Sequence, residues 1–380
     1  MSSDLRSVLR VRVDDGTVPG AVALVFRGGR AEAAAVGHAD LADDLPMARD
    51  SIFRIASLTK PITAAATMLL VDDGLLALPD PVDRWLPELA APRVVRSPSS
   101  PVTDTVPAER PITVEDLLTF RAGYGFAADF AFPAVAELFQ TVQRDPLLPH
   151  DYPPPDEWTA ALAKIPLLCR PGEAWLYHTC SDILGVLVAR VAGRPFPEFL
   201  RERLFAPLGM DDTGFDVPAA KLDRFTVLYG TGEDGREVVD ARDGRWARPP
   251  AFPSGGSGLV STADDLLAFH RMLLDEGAFR GRRVLSAASV RLMTADHLTG
   301  TQRKEGEPFL EGQGWGFGGS VDVARIDPWN VPGRYGWVGG SGTAAHLVPA
   351  TGTAAIVLTQ QALTSPTPPS VLRDLWRYAA

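Results

Sequence analysis

The chain has little cysteine, histidine or lysine for its 380 residues. Its two cysteines, Cys169 and Cys180, match neither a disulfide framework nor the spacing of a zinc site. The six histidines are scattered and form no His-Glu-x-x-His pattern. We therefore predict no metal and no cofactor, and we expect both cysteines to be free thiols that pack as small hydrophobic side chains.

The sequence also lacks the apolar segments that membranes and secretion require. No stretch reaches the roughly 18 uncharged apolar residues that cross a bilayer. Residues 1–6 have neither the apolar run nor the small-residue cleavage site of a secretory signal. These absences predict a soluble cytoplasmic protein with no membrane partner. The net charge of −10 opposes the clustered positive surface that a nucleic acid partner needs.

What is present indicates a globular protein with a substantial core. Of the residues, 46% are hydrophobic and 22% are charged, which are ordinary values for such a protein. The length favours one large domain or two interleaved domains. Strand-like runs occur near both ends of the chain, with Gly28-Gly29 as a hairpin signal between the first two. The predicted strands are 21–27, 30–37, 315–323, 336–349 and 353–360.

The distribution of these elements predicts an α+β fold. Neither end of the chain has enough strands for a long sheet, so we expect them to meet in one antiparallel sheet flanked by helices. This sheet domain is predicted for residues 1–80 and 250–380. A mainly helical inserted domain is predicted for residues 81–249.

The first chemical motif is Ser57-Leu58-Thr59-Lys60, at the start of a predicted helix. A serine hydroxyl is a weak nucleophile unless a base lies within hydrogen-bond reach, and positions i and i+3 share one helix face. Only four lysines occur in a chain that otherwise uses arginine, and one of them is at this position. Lysine acts as a base only if burial or a neighbouring cation lowers its pKa. The alternative is an exposed lysine in a first helical turn.

Two further motifs could complement the pair of Ser57 and Lys60. Tyr177 precedes a predicted helix and could present its phenol to the serine, although a packed aromatic residue is the ordinary alternative. Near the C-terminus, Trp337, Val338, Gly339 and Gly340 open a strand. Glycines there allow a substrate carbonyl to approach the backbone, or they simply begin an ordinary strand.

Together these residues resemble the serine β-lactamase and penicillin-binding-protein superfamily. The nearest likeness is to class C β-lactamases, family VIII carboxylesterases and related D-aminopeptidases and acyltransferases. Segments match in the right order: 18–22, 53–61, 255–266 and, in the closing hairpin, 348–349 and 357–360. The resemblance covers nearly the whole chain and implies a β-lactamase/transpeptidase-like fold.

The resemblance also implies the roles of the site residues. Ser57 is then the acylated nucleophile, and Lys60 and Tyr177 share the duties of base and acid. The backbone N–H groups of Ser57 and Gly340 would form the oxyanion hole. Which of Lys60 and Tyr177 first takes the serine proton stays open.

Two departures from the lactamase pattern affect the expected substrate. Lactamases of class C carry asparagine two places after the tyrosine, where this chain has Thr179. They carry Lys-Thr-Gly where this chain has Trp337, Val338 and Gly339. We assign these four residues to substrate binding. Because an indole cannot pair with a carboxylate, we predict hydrolysis of carboxylic esters with weak turnover of penicillins.

Aromatic side chains between positions 121 and 156 have two interpretations. They either wall an acyl pocket or fill the core of the helical domain. The residues concerned are Phe126, Phe130, Phe132, Phe139 and Tyr152. His178 likewise is either an ordinary satisfied histidine or a contact in the cleft.

Other functions remain open at this stage. The acyl group could pass to an alcohol or amine, as in an acyltransferase, or the substrate could be a β-lactam or a D-amino-acid amide. A non-enzymatic alternative is a silent ligand-binding domain. An α/β-hydrolase is excluded because no Gly-x-Ser-x-Gly elbow occurs with the right spacing. The partner is predicted to be a small-molecule ester or amide, and the oligomeric state is unknown.

Overall fold

The structure is a computed structural model, and it describes residues 4–126, 129–233 and 235–380. The described residues do not include Met1, Ser2 and Ser3. These three begin the segment 1–6, which was considered above as a secretory signal. Residues 127, 128 and 234, which fall within the predicted helical insert, also lie outside the described residues.

The strands lie mainly near the two ends of the chain, as predicted. In chain order they are β1 (Gly20–Arg27), β2 (Arg30–Asp40), β3 (Leu45–Pro46), β4 (Phe53–Arg54), β5 (Arg93–Val95), β6 (Thr105–Pro107), β7 (Leu228–Gly232), β8 (Gly235–Asp240), β9 (Val260–Ser261), β10 (Ala278–Phe279), β11 (Arg282–Arg283), β12 (Gly314–Trp315), β13 (Ser320–Val321), β14 (Tyr335–Gly339), β15 (Thr343–Val348) and β16 (Thr353–Thr359). The main sheet has eight strands in the order β12-β13-β14-β15-β16-β1-β2-β3.

The helices lie between and around these strands. In chain order they are α1 (Leu5–Asp14), α2 (Thr59–Asp72), α3 (Val114–Leu118), α4 (Pro133–Thr141), α5 (Pro155–Leu162), α6 (Thr179–Ala192), α7 (Phe196–Leu200), α8 (Ala206–Leu208), α9 (Ala263–Leu274), α10 (Ala287–Met293), α11 (Gly300–Glu305), α12 (Glu307–Leu310) and α13 (Ser370–Ala379). In the part of the chain that the structure describes, no helix is both long enough and apolar enough to cross a bilayer.

Both ends of the chain meet at β1, the strand that joins the two halves of the main sheet. β1 pairs antiparallel with β2 on one side and with β16 on the other, where Ala21 lies opposite Thr359. Gly28 and Gly29 turn between β1 and β2 with positive φ angles of 56° and 76°. This confirms the hairpin and the single antiparallel sheet, while the division into domains stays a prediction.

Two predicted strands are each divided in the structure. The prediction of one strand over 336–349 was wrong, because a turn separates β14 from β15. Gly342 has a φ of 84° there, and an added Cβ would lie 2.3 Å from Thr359 Oγ1. The predicted strand over 315–323 is likewise broken by a turn containing Gly318, whose φ is 74°. Each turn needs a backbone conformation that favours glycine.

The side chains of β1 alternate between the two faces of the sheet, as the period of a strand requires. Val22 and Leu24 face the large core that also contains α2 and α6. Ala21, Ala23 and Val25 face a second core beneath the terminal helices α1 and α13. Helix α2 is buried from Thr59 to Leu70, so its N-terminus lies deep in the molecule.

The middle of the chain carries short helices and small hairpins. Helix α3 begins with Thr113 and Asp116, which form a reciprocal capping box. Helix α6 begins at Thr179. The segment 79–111 contains the β5–β6 hairpin.

Candidate active site

Ser57 lies in the 3₁₀ helix Ala56–Leu58, which leads directly into α2. The strand before it, β4, pairs with β9, so the approach to the serine is fixed by a segment about 200 residues away in sequence. Ala56 has a φ of 43°, an uncommon conformation for a residue with a side chain. The chain therefore bends sharply just before the serine, which is 8% exposed.

Two hydroxyl groups from the far end of the chain fix this bend. Ser341 Oγ donates to the carbonyl of Arg54 at 2.5 Å, and Thr343 Oγ1 donates to the carbonyl of Ile55 at 3.1 Å. The two carbonyls belong to the residues just before the bend, and that of Ile55 also accepts from Leu58 N in the 3₁₀ helix at 3.1 Å. The β14–β15 hairpin thus holds the segment that carries Ser57.

Lys60 is buried, and its Nζ lies 2.9 Å from Ser57 Oγ. The i, i+3 spacing brings the two groups together as predicted. Nζ also donates to the carbonyl of Gly256 at 2.7 Å and lies 3.1 Å from Nδ1 of His178. Burial lowers the pKa of Lys60 to about 7, against the opposing charge of Asp182. An amine with this pKa is available as a base near neutral pH.

Tyr177 lies immediately before α6 and faces the serine. Its backbone forms an antiparallel bridge with Phe126, with N–H···O distances of 2.8 and 3.0 Å. Burial raises the pKa of the Tyr177 phenol to about 12, and hydrogen bonds with Ser57 and Trp337 oppose that rise. The phenol therefore keeps its proton at neutral pH and is suited to act as an acid.

His178 and Asp182 belong to the same buried cluster, a role that the sequence analysis did not assign to Asp182. His178 Nε2 lies 3.5 Å from Asp182 Oδ2. The carboxylate accepts hydrogen bonds from Ser254 Oγ at 2.6 Å, Gly256 N at 2.9 Å and Gln143 Nε2 at 3.2 Å. The i, i+4 spacing of the histidine and the aspartate was a usable signal, since such residues share a helix face.

The groups around Ser57 open into a cleft of roughly 570 Å³. Its wall is mainly apolar and includes Phe126, Phe130, Leu147, Phe309, Trp337, Val338 and Leu363. Asp145 is also part of the lining. Among the described residues that line the cleft, there is no lysine or arginine.

Of the aromatic residues between positions 121 and 156, some line the cleft and others pack in the core. Phe126 and Phe130 line the cleft. Phe139 is not among the lining residues and stacks on Phe126 at a centroid distance of 4.5 Å. Tyr152 is buried against Phe252, so it belongs to the core.

Of the residues predicted to bind substrate, some line the cleft and others do not. Trp337, Val338 and Gly340 line the cleft. Thr179 does not, which corrects its assignment. It is fully buried, and its hydroxyl donates to Gln143 Oε1 at 2.7 Å, because the start of α6 directs this side chain inward. Gly339 also lies outside the lining, and a Cβ there would lie 2.5 Å from the carbonyl of Ile55.

The two predicted oxyanion donors both face the cleft. Ser57 is in the first turn of its 3₁₀ helix, where N–H groups lack partners within the helix. Gly340 directly follows β14, and its carbonyl accepts from Leu363 N at 2.7 Å. Their joint action as an oxyanion hole stays a prediction.

No group of three or more potential metal ligands is present among residues 4–126, 129–233 and 235–380. Cys180 is buried and Cys169 is half-buried, and both are free thiols.

A sequence profile of the β-lactamase family matches residues 5–378. The chain belongs to this family. The similarity extends to individual relatives: Protein Rv1367c of Mycobacterium tuberculosis is 41% identical over 344 residues, which cover 88% of this chain and 84% of that protein. Esterase EstB of Burkholderia gladioli is 32% identical over 339 residues, which cover 84% of this chain and 79% of the esterase.

A solved structure supports the same fold. EstCE1, described as a hydrolase with promiscuous acyltransferase activity, superposes with a TM-score of 0.81. It is 26% identical, and the superposition covers 98% of this chain and 96% of EstCE1. The predicted β-lactamase/transpeptidase-like fold is therefore confirmed, and the family's relatives include esterases and acyltransferases.

Proposed function

We propose that this protein is a serine hydrolase that acts on carboxylic esters through an acyl-enzyme on Ser57. The observation that carries the proposal is the 2.9 Å contact between Ser57 Oγ and Lys60 Nζ, whose pKa burial lowers to about 7. A neutral amine at hydrogen-bond distance supplies the base that a serine nucleophile requires.

The reaction begins when Ser57 Oγ attacks the ester carbonyl carbon and its proton passes to Lys60 Nζ. The bond to the leaving alcohol then breaks, and the Tyr177 phenol protonates the departing alkoxide. The proton on Lys60 returns to Tyr177, which restores both groups. Lys60 is the first acceptor in this scheme, because Tyr177 with its pKa near 12 remains protonated at neutral pH.

In the second half of the cycle, water attacks the acyl carbon and gives a proton to the basic group. The Ser57 Oγ–acyl bond breaks, and Oγ recovers a proton as the carboxylic acid leaves. The net change is ester plus water to acid plus alcohol. N–H groups of Ser57 and Gly340 would stabilise the oxyanion in both halves.

The lining of the cleft favours neutral, apolar acyl esters. A substrate carboxylate would find no lysine or arginine among the described lining residues, and Asp145 would repel it. A charge-assisted hydrogen bond contributes about 1.5–3 kcal/mol, so its absence costs a penicillin roughly one to two decades in rate. The similarity to Esterase EstB agrees with this choice of substrate.

Active-site labelling tests the proposal directly. A fluorophosphonate should modify the wild-type protein at Ser57, as peptide mass spectrometry would show, and Ser57→Ala should not react. Ser257→Ala is the matched control, because Ser257 is a buried serine whose hydroxyl donates to the carbonyl of Pro146, and this variant should retain a labelled Ser57. Stoichiometric labelling of Ser57→Ala would contradict the assignment of the nucleophile.

Acyl transfer is a second candidate activity. It is favoured by the similarity to EstCE1, a hydrolase with promiscuous acyltransferase activity. Both reactions share the acyl-enzyme and differ only in whether water or another nucleophile removes the acyl group. Intact-mass measurements with an acyl donor, with and without an alcohol or amine acceptor, would separate them by the products formed.

A further inference from the structure

We propose that His178 and Asp182 are positioning residues that direct the lone pair of the Lys60 amine at the Ser57 hydroxyl. This inference rests on the proposed function, since it concerns the base in that mechanism. The polar atoms around Lys60 Nζ support it.

Three polar atoms surround Lys60 Nζ: Gly256 O at 2.7 Å, Ser57 Oγ at 2.9 Å and His178 Nδ1 at 3.1 Å. A neutral amine has two hydrogens and one lone pair. The carbonyl of Gly256 can only accept, so it takes one hydrogen. If His178 Nδ1 also accepts, it takes the second hydrogen, and the lone pair is left facing Ser57. The protonation state of His178 therefore decides whether Lys60 is aligned as a base.

Asp182 selects the tautomer of His178 that accepts. Its pKa is held below the usual value by its contact with His178, the hydrogen bond from Ser254 and the charge of Lys60, against the effect of burial, so the carboxylate is ionised. An ionised carboxylate only accepts, and it lies 3.5 Å from Nε2, which has no hydrogen-bond partner among the described residues, so the attraction between the two is electrostatic. The single hydrogen of the neutral ring then belongs on Nε2, which leaves Nδ1 with a lone pair for Lys60.

The ring of His178 is neutral at the pH of catalysis. Burial, with a smaller contribution from the Lys60 charge, lowers its pKa to about 4. The titratable groups that face it are Lys60 on α2, Asp182 on α6 and Tyr177 just before α6. The remaining contacts are uncharged, namely the Phe126 ring and Gly256.

The backbone shows that His178 is held in place. Its φ is 87°, a strained value for a residue with a side chain. Its ring stacks on Phe126 at a centroid distance of 5.1 Å and an interplanar angle of 6°. Gly255 lets the neighbouring loop approach α6, since a Cβ there would lie 2.3 Å from the carbonyl of Ser181. These contacts place both His178 Nδ1 and Gly256 O next to Lys60 Nζ.

Four variants test this arrangement. His178→Phe keeps a ring to stack on Phe126 but has no acceptor, and His178→Gly removes the acceptor while relieving the strained φ. His178→Asn places a carbonyl oxygen near the position of Nδ1 and tolerates positive φ, so it is the conservative replacement. His270→Asn is the matched control, because His270 is also buried but bonds the carbonyl of Leu266, away from Ser57.

The readout is the rate of Ser57 phosphonylation by a fluorophosphonate between about pH 5 and pH 10. In this reaction the Oγ–P bond forms, the P–F bond breaks, fluoride leaves and the serine proton passes to Lys60. It reports on the base without requiring ester turnover. The wild-type rate should rise with pH through a midpoint near 7, the pKa of Lys60.

His178→Phe and His178→Gly should lower the high-pH rate at least about 10-fold, part of the roughly 100-fold or larger effect of a general base. They should also move the midpoint to lower pH, because the ammonium form of Lys60 loses an acceptor. His178→Asn should stay within about 3-fold of wild type, as His270→Asn should. A role limited to packing would lower the rate without moving the midpoint.

The inference is wrong if folded His178→Phe or His178→Gly keeps the wild-type rate and midpoint. It is also wrong if His178→Asn is as slow as those two variants, since the acceptor would then not matter. A wild-type protein that is not labelled at Ser57 would overturn the proposed function itself. Labelling of wild-type Ser57 therefore tests the proposed function, and the His178 variants separately test the positioning role.

Discussion

The indole Nε1 of Trp337 donates a hydrogen bond of 2.7 Å to the phenolic oxygen of Tyr177. An N–H group cannot accept, so the phenol keeps its own hydrogen for another partner. Trp337 therefore lines the cleft and also holds the Tyr177 phenol in place. Only its place in the cleft was expected from the sequence.

Trp337→Phe should separate these roles, because the ring remains while the donor is lost. We expect kcat for an aryl ester to fall about 5-fold with little change in KM, consistent with one hydrogen bond of about 1 kcal/mol. The pKa of Tyr177 should rise, since this hydrogen bond lowers it. Steady-state kinetics across pH would measure both effects. Val338→Ala, which removes cleft surface without a donor, should act mainly on KM.

The pH dependence of ester hydrolysis should follow Lys60. Because catalysis needs the neutral amine, kcat/KM should rise as pH increases through about 7, the lowered pKa of this buried lysine. Lys60→Arg keeps a cation that does not deprotonate in this range, so it should lower the rate at least about 100-fold at every pH. Tyr177→Phe should cause a loss of similar size. A Lys60→Arg variant with the wild-type pH profile would show that another group is the base.

Selectivity should favour esters over β-lactams. We expect short-chain aryl esters to be hydrolysed and penicillins to be hydrolysed weakly or not at all, because no cation lines the described part of the cleft. Both rates should be measured on one preparation, with Ser57→Ala as the background. Penicillin hydrolysis that matches the ester rate would contradict the esterase assignment.

Lys60 should also reduce the stability of the fold. Its folded pKa of about 7 lies below the ordinary lysine value of 10.5, so the unfolded state binds more protons between these values. The free energy of unfolding should therefore rise with pH through this window. Lys60→Met should raise Tm at pH 7 while abolishing activity, and the gain should shrink toward pH 10. Lys164→Met is the matched control, because Lys164 is exposed and should change Tm little at any pH.

The sequence was most informative where the signal is local. The Ser57 and Lys60 pair depends on one helical turn, and the β1–β2 hairpin depends on two adjacent glycines. It was least informative where side chains meet across the fold. Nothing in the sequence around Lys60 indicates that Gly256 lies against it, because 196 residues separate Lys60 from Gly256.

The error at Thr179 has a similar cause. Its position was counted along the chain from Tyr177, but the strained backbone at His178 turns the chain between them. As a result, His178 faces Lys60 and Thr179 faces Gln143. Counting residues cannot reveal such a turn, because a histidine with positive φ has no distinctive sequence pattern.

The hydrogen bonds from Ser341 and Thr343 to the segment before Ser57 also bear on how the protein is made. Ser57 and Lys60 are synthesised early, but the groups that fix their backbone follow 287 and 288 positions after their partners. A nascent chain stalled on the ribosome before Ser341 would carry the nucleophile and base without these restraints. Reactivity would then be acquired only near the end of translation, and fluorophosphonate labelling of stalled chains of increasing length would reveal the point at which it appears.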